Sequence, residues 1–147
     1  MFTLKQKFLI LAMYCFFQSG FAQVGINTIT PLSTLDINGN LSVKTLTLVG
    51  SGSITLIDDG VYISLNPQAA DQEFKLPSPI IYPGRIYFLR NINNTNTAKL
   101  TTTDGNFFFK GLTSGGVATL FMYDNHYRTI LIISDGSNWT VYENYTP

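Results

Sequence analysis

His126 is the only histidine in the chain, and Asp124 stands two residues before it. The two could act as a general base with its orienting carboxylate. Such work needs a nucleophile or a second carboxylate converging on the same atom, and no spacing in the sequence marks one. Asp124-Asn125-His126 reads as a loop between two strands. Asp58 with Asp59, and Asp71 with Glu73, are the candidate glycosidase pairs, which would need carboxyls facing each other across a sugar. Neighbouring residues of a strand or turn point apart, which sets Asp58-Asp59 aside. Asp71 and Glu73 share a face, but within a polar connecting segment, where a solvated loop is the plainer reading. Asp58-Asp59-Gly60, Asp104-Gly105-Asn106 and Asp135-Gly136-Ser137-Asn138 could be taken for calcium loops. Calcium asks for six to eight oxygens with several carboxylates on one loop, and Asx-Gly turns arise for backbone reasons alone. No catalytic residue, metal ligand or cofactor is therefore assigned, and the chain is read as not an enzyme.

Aromatic side chains offer a different chemistry. Tyr82, Tyr87, Tyr123, Tyr127 and Tyr145 are the candidate ligand-binding residues, since glycan-binding surfaces use exposed aromatics flanked by Asn, Asp and Arg. The competing use of such residues is cross-strand pairing and core. An equal count of nine basic and nine acidic residues offers no footprint for nucleic acid. The 45% hydrophobic content excludes disorder as the general state.

The first 22 residues carry the marks of a signal peptide. Lys5 and Lys7 form a basic region, and Phe8 to Phe17 is unbroken apolar sequence. That run is shorter than the roughly 20 residues a membrane-spanning helix needs. Gly20 and Ala22 put small residues at −3 and −1, so cleavage is expected at Ala22-Gln23. Lipid attachment at Cys15 would need a small preceding residue, and Tyr14 is bulky. Cleavage removes Lys5, Lys7 and the single cysteine, leaving seven basic against nine acidic residues and no thiol. The mature chain is expected to be secreted or held at the cell surface, with no transmembrane span. It can use neither disulfides nor cysteine chemistry.

The remainder reads as strands. Leu46 and Leu48, with Leu41 and Val43, mark a strand near 41–49. Ile54 and Leu56, then Val61, Ile63 and Leu65, flank Asp59-Gly60, the strongest short hairpin signal. Phe74 and Leu76 form a strand that Pro77 ends. Ile86, Phe88 and Ile92 mark one near 85–92 after a Pro83-Gly84 turn. Leu100 and Thr102 lead through Asp104-Gly105, a second turn of the same chemistry, to Phe107–Phe109. Residues 117–123 and 129–134 make the next pair, and Asp135-Gly136 turns the chain into Trp139–Val141, with Trp139 expected over strand 129–134. Roughly ten strands, with turns 8–12 residues apart, predict an all-β antiparallel sandwich. Thr129-Ile130-Leu131-Ile132-Ile133 is apolar on both faces, as in a strand covered on both sides or lying at a subunit interface. Phe107-Phe108-Phe109 cannot all point inward, so one is exposed unless a loop covers it.

Residues 24–40 differ, with a Gly, a Pro and an Asn-Gly turn among short apolar stretches. Ile26, Leu32, Leu35 and Ile37 are too few for a core. They are expected to lie against the main domain or against copies of themselves around an axis, and are the candidate oligomerisation residues. The expected organisation is a signal peptide over 1–22, an extended axial segment over 23–49 and a β-sandwich head over 50–147.

Gln23 to Val43 resembles the Gly-Ile-x-Thr-x-x-Pro-x-x-x-Leu-Asp-Val-x-Gly-x segment of phage tail fibres and secreted Bacteroidetes surface proteins. It matches at Gly25, Ile26, Thr28, Pro31, Leu35, Asp36, Ile37 and Gly39. Pro83 to Ile92 and Ile130 to Tyr142 resemble elements that frame the small, jelly-roll-like β domains of tail-fibre and tailspike heads. The resemblance implies a homotrimer wound about its N-terminal segments; the role expected is structural or adhesive, with a glycan or other cell-surface ligand as the candidate partner of the exposed aromatics. A carbohydrate-binding module is the alternative, and a hydrolase stands behind both. Three Asn-x-Thr sequons, at Asn93, Asn138 and Asn144, take no role in a bacterial exported protein.

Overall fold

The computed structural model describes residues 3–7, 24–26, 29, 34–109, 115–124 and 129–143, with Gly25, Asp36 and Glu143 described by backbone only. Cys15, the apolar run after Lys7, the expected cleavage point, Leu32, His126, Tyr127 and Tyr145 lie outside the described residues. Residues 4–7 form one helical turn, started by a reciprocal cap. Thr3 Oγ1 accepts from the Gln6 N–H, and Gln6 Oε1 accepts from the Thr3 N–H. Among the described residues no helix is long and apolar enough to cross a membrane.

The chain divides into two compact units, Met1–Ser42 and Val43–Pro147. In the first, β1 (Val24–Ile26) and β2 (Leu35–Ile37) pair in parallel, with Val24 opposite Leu35 and Ile26 opposite Ile37. Directly paired residues project from the same face. One face of this ribbon therefore carries four apolar side chains.

The second unit is all-β. Its strands are β3 (Thr45–Val49), β4 (Thr55–Leu56), β5 (Tyr62–Asn66), β6 (Gln72–Leu76), β7 (Ile86–Asn91), β8 (Ala98–Thr102), β9 (Phe107–Phe109), β10 (Leu120–Met122), β11 (Thr129–Ser134) and β12 (Trp139–Glu143). They form a six-stranded sheet in the order β3-β5-β7-β11-β12-β9 and a four-stranded sheet in the order β10-β8-β6-β4. The second unit begins at Val43 and includes β3, which is laddered to β5.

The sheets are mixed, which corrects the expected antiparallel arrangement. From β3 to β8 the chain alternates between the two sheets, and β3-β5-β7 and β4-β6-β8 pair in parallel. Among the described residues the antiparallel ladders are β7-β11, β11-β12 and β8-β10, with an isolated antiparallel bridge between Phe107 and Val117. The physical reason lies in the turns. Asp59-Gly60 and Asp104-Gly105 have the left-handed glycine their sequence demands, with φ of 78° and 69°. Each nevertheless passes the chain to the other sheet. A strand of the opposite sheet thus serves as the crossover that parallel neighbours require. Asp135-Gly136 alone of the three closes a hairpin. Ser134 faces Trp139, the Asp135 N–H donates to the Asn138 carbonyl at 3.0 Å, and Asp135 Oδ1 accepts from the Ser137 and Asn138 N–H groups.

The inward residues of both sheets join one buried cluster, including Ile63, Leu65, Tyr87, Leu89, Ile130, Ile132 and Trp139 from one sheet and Phe74, Leu76, Leu100 and Met122 from the other. Trp139 is completely buried, with its ring 5.7 Å from that of Tyr87 on β7. Its Nε1 donates to Thr102 Oγ1 at 3.0 Å, and that hydroxyl donates onward to the Asp104 carbonyl at 2.8 Å. The indole thereby ties the six-stranded sheet to the end of β8.

β7 faces the opposite way from its sequence reading. Tyr87, Leu89 and Asn91 are inside, while Ile86 and Phe88 are exposed. Both sets of alternating positions are largely apolar, so periodicity does not choose between them. Partners do. Tyr87 meets Trp139, and Asn91 Nδ2 donates at 2.9 Å to the carbonyls of Asn96 and Met122. A buried amide satisfied in this way carries little penalty.

Candidate functional site

β4, β6 and β8 run toward the same end of the second unit, and β5 and β7 start there. The connections 57–61, 77–85 and 103–106 and the hairpin loop 135–138 gather at that end. The last three are joined by the Gly84 N–H to the Ser134 carbonyl at 3.0 Å and the Asn106 N–H to Asn138 Oδ1 at 3.0 Å. Pro83-Gly84 forms a type II turn, with Gly84 at φ 78° and the Arg85 N–H donating to the Tyr82 carbonyl at 3.2 Å. The turn folds Arg85 back so that its guanidinium lies 3.6 Å from the centre of the Tyr82 ring. Arg85 Nη1 also donates to Tyr87 Oη at 3.3 Å. Burial pushes the Tyr87 phenol above its ordinary value, against the opposing pull of Arg85. Asp59 accepts from Lys44 and from the Gly60 N–H, and the Lys44 hydrogen bond is the main cause holding it below the ordinary carboxylate range.

The structure does not bring the candidate tyrosines together. Tyr82 is 39% exposed at the turn-rich end, with one ring face under Arg85. Tyr123 is 46% exposed at the other end, where β10 finishes opposite the start of β8, and its ring stacks on Phe121 at 6.4 Å. Tyr87 is a core residue with no exposed surface, a correction to its reading as a ligand contact. The alternation of β7 turns it inward against Trp139.

Beside Tyr123's end lies a network of amides. Asn93 Nδ2 donates to the Pro67 carbonyl at 2.8 Å, and Asn93 Oδ1 accepts from the N–H groups of Thr95 and Asn96. Asn96 Nδ2 reaches the same Pro67 carbonyl at 3.3 Å. These bonds fasten one connection to the next, so the Asn93 amide of the first sequon is already engaged.

The paired carboxylates are also separated by their surroundings. Asp71 is exposed at φ 56°, in the turn that enters β6. Glu73 lies on the outer face of β6, accepting from Thr101 Oγ1 at 2.8 Å and from Lys99 Nζ at 3.2 Å. The Thr101 hydrogen bond is the largest cause lowering its pKa from the ordinary value. Among the described residues no three of His, Cys, Asp and Glu gather where a metal ion could be held. Comparison of the chain with protein-family models, with curated proteins and with solved structures gives no match.

Two groups of exposed apolar side chains are laid out by strand pairing. On the β1–β2 ribbon, Val24, Ile26 and Leu35 are each a little more than half exposed, and Ile37 is half-buried. On the outer face of the six-stranded sheet, Ile86, Phe88 and Tyr142 are 41%, 40% and 49% exposed. Sequence reading of single residues missed this second surface. Its signal was present in Thr129–Ile133, where Ile130 and Ile132 are now seen to be buried and Leu131 and Ile133 to face outward. The triple Phe is divided between faces. Phe107 is buried and Phe109 packs on the core. Phe108 projects outward, where its ring lies so close to Gly116 that a Cβ there would meet it at 2.5 Å.

Proposed function

We propose that the protein is an exported, non-enzymatic structural or adhesive β-module, working at the cell surface or outside the cell. Val43–Pro147 is its sandwich head, and the β1–β2 ribbon is the element through which chains assemble as a homotrimer. The observation that carries this reading is the ribbon's apolar face. A two-stranded sheet is marginal at best by itself in water, and Val24, Ile26 and Leu35 stand more than half exposed on one side of it. Burying one such side chain is worth ~1.5–3 kcal/mol, and several per chain shared about an axis offset the association entropy. The tail-fibre-like match at Gly25, Ile26, Leu35, Asp36 and Ile37 supports the same reading.

Mass in solution tests it. The expected result is a trimer that falls to folded monomers when residues 23–40 are deleted. A parent chain already monomeric at tens of micromolar rejects it, because such assembly is concentration-dependent. N-terminal sequencing of exported protein is expected to begin at Gln23, and recovery of full-length protein in the cytoplasm rejects export.

One observation favours carbohydrate binding as a second reading. The stacked Phe121–Tyr123 pair presents two exposed rings beside an amide-rich end. A pull-down on insoluble polysaccharides, with Tyr123→Ala removing retention, would favour it. Equal retention of parent and variant would dismiss the pair as its basis.

A further inference from the structure

The outer face of the six-stranded sheet carries an apolar surface laid out by the strand register. Tyr62, Phe88, Leu131 and Tyr142 stand in one row across β5, β7, β11 and β12. Ile86 and Ile133 are paired in the adjacent row. Neighbouring strands are ~4.8 Å apart, so these six side chains form one continuous patch. Arg90, paired with Thr129 and Ser64 in the row beyond, is the only charged side chain described on these three rows.

We infer that this face is a self-association surface, covered by the same face of a second copy of the chain. Charge selects the occupant. An acidic or basic partner would find a single cation at the margin and no anion, whereas a like face brings no charge into the centre and leaves each Arg90 at the solvated rim. Area agrees. Taking ~200 Å² for each aromatic and slightly less for each aliphatic, Ile86, Phe88 and Tyr142 leave roughly 250 Å² of side chain exposed, and the half-buried Tyr62, Leu131 and Ile133 bring the patch to roughly 300–450 Å². That matches the apolar centre of an interface of about 800 Å² per partner, with Thr45, Thr47, Ser64, Thr129 and Thr140 supplying a polar rim. The central strand is built for such a position. β11 buries Ile130 and Ile132 on the core and offers Leu131 and Ile133 to the outside. This contact is independent of the ribbon, and it shares with the proposed function only the presence of more than one copy.

Sedimentation velocity on four proteins tests it: the parent, Phe88→Glu/Leu131→Glu on the patch, Ile26→Asp/Leu35→Asp on the ribbon, and Phe121→Glu on the other sheet. The patch variant is expected to lose association by ~100-fold or more, as removal of two central anchors does, with its circular dichroism unchanged and its urea midpoint equal to that of the parent diluted until it dissociates. Phe121→Glu is expected to assemble as the parent does. If the glutamate pair unfolds the protein, Phe88→Thr/Leu131→Thr replaces it with residues suited to an exposed strand, and the same loss is expected. A patch variant that assembles like the parent overturns the inference, as does a monomeric parent. A ribbon variant that assembles like the parent while the patch variant dissociates would reject trimerisation through the ribbon and leave this surface standing.

Discussion

The two sheets share one core but turn different chemistries outward. On the four-stranded sheet, Glu73 bridges Thr101 and Lys99 across the β6–β8 ladder, with Lys75 beside them. On the six-stranded sheet, the equivalent positions hold Phe88, Leu131 and Tyr142. Inward residues obey the same demand on both sheets, since each must be apolar or satisfied to leave water. Outward residues are free of that demand and record what each face meets. A charged ladder is content with solvent; the apolar row at the centre of the six-stranded sheet is the surface that the inferred second copy would cover.

The sharpest way to break the comparison is through the shared core. Trp139→Ala is expected to cost ~3–5 kcal/mol in urea unfolding, because it opens a cavity and strips Thr102 Oγ1 of its indole donor. A small change would mean that the two sheets do not depend on a common interior. The next test sets neighbours on β11 against each other. Ile132→Ala, inside, is expected to cost ~2–4 kcal/mol, while Leu131→Ala, outside, should cost well under half as much in the dissociated chain. Equal costs would erase the distinction between faces.

The hairpin loop of the six-stranded sheet closes against a crossover from the other. A Cβ at Gly105 would meet the Ser137 carbonyl oxygen at 2.2 Å, and Gly105 has φ 69°. Gly105→Ala is therefore expected to cost more than ~1 kcal/mol, read as a lowered melting temperature. The smallest effect belongs to the charged face. Glu73 is held below its ordinary value of 4.5, so its ionised form stabilises the fold above that pH. The contribution is lost as pH falls through the lowered folded value. Glu73→Gln is expected to cost below ~1 kcal/mol at neutral pH and to flatten the stability profile under pH 4.5. An unchanged acid limb would show that the Glu73–Thr101–Lys99 bridge contributes nothing.

Much of the head was legible as local pattern. Ile63, Leu65, Phe74, Leu76 and Trp139 lie inside as their alternation and aromatic character suggested, and Gly60, Gly105 and Gly136 all adopt positive φ. The candidate site was far less legible. Tyr87 looks no different in sequence from Tyr82 or Tyr123, yet only the last two reach the surface, and at opposite ends. Phe88 and Leu131 lie 43 positions apart and become neighbours only through the β7–β11 ladder.

What the residues determined unaided is therefore the local grammar: where strands run, where glycine must bend the chain, and that charge is scarce. The tertiary structure decided two things. One is the sheet each strand joins, because an Asp-Gly pair specifies the torsions of a turn but not the ladder waiting beyond it. The other is which face of β7 is buried. Strand periodicity is two, and a strand apolar on both faces can be read in either register until Trp139, Asn96 and Met122 supply the partners that choose.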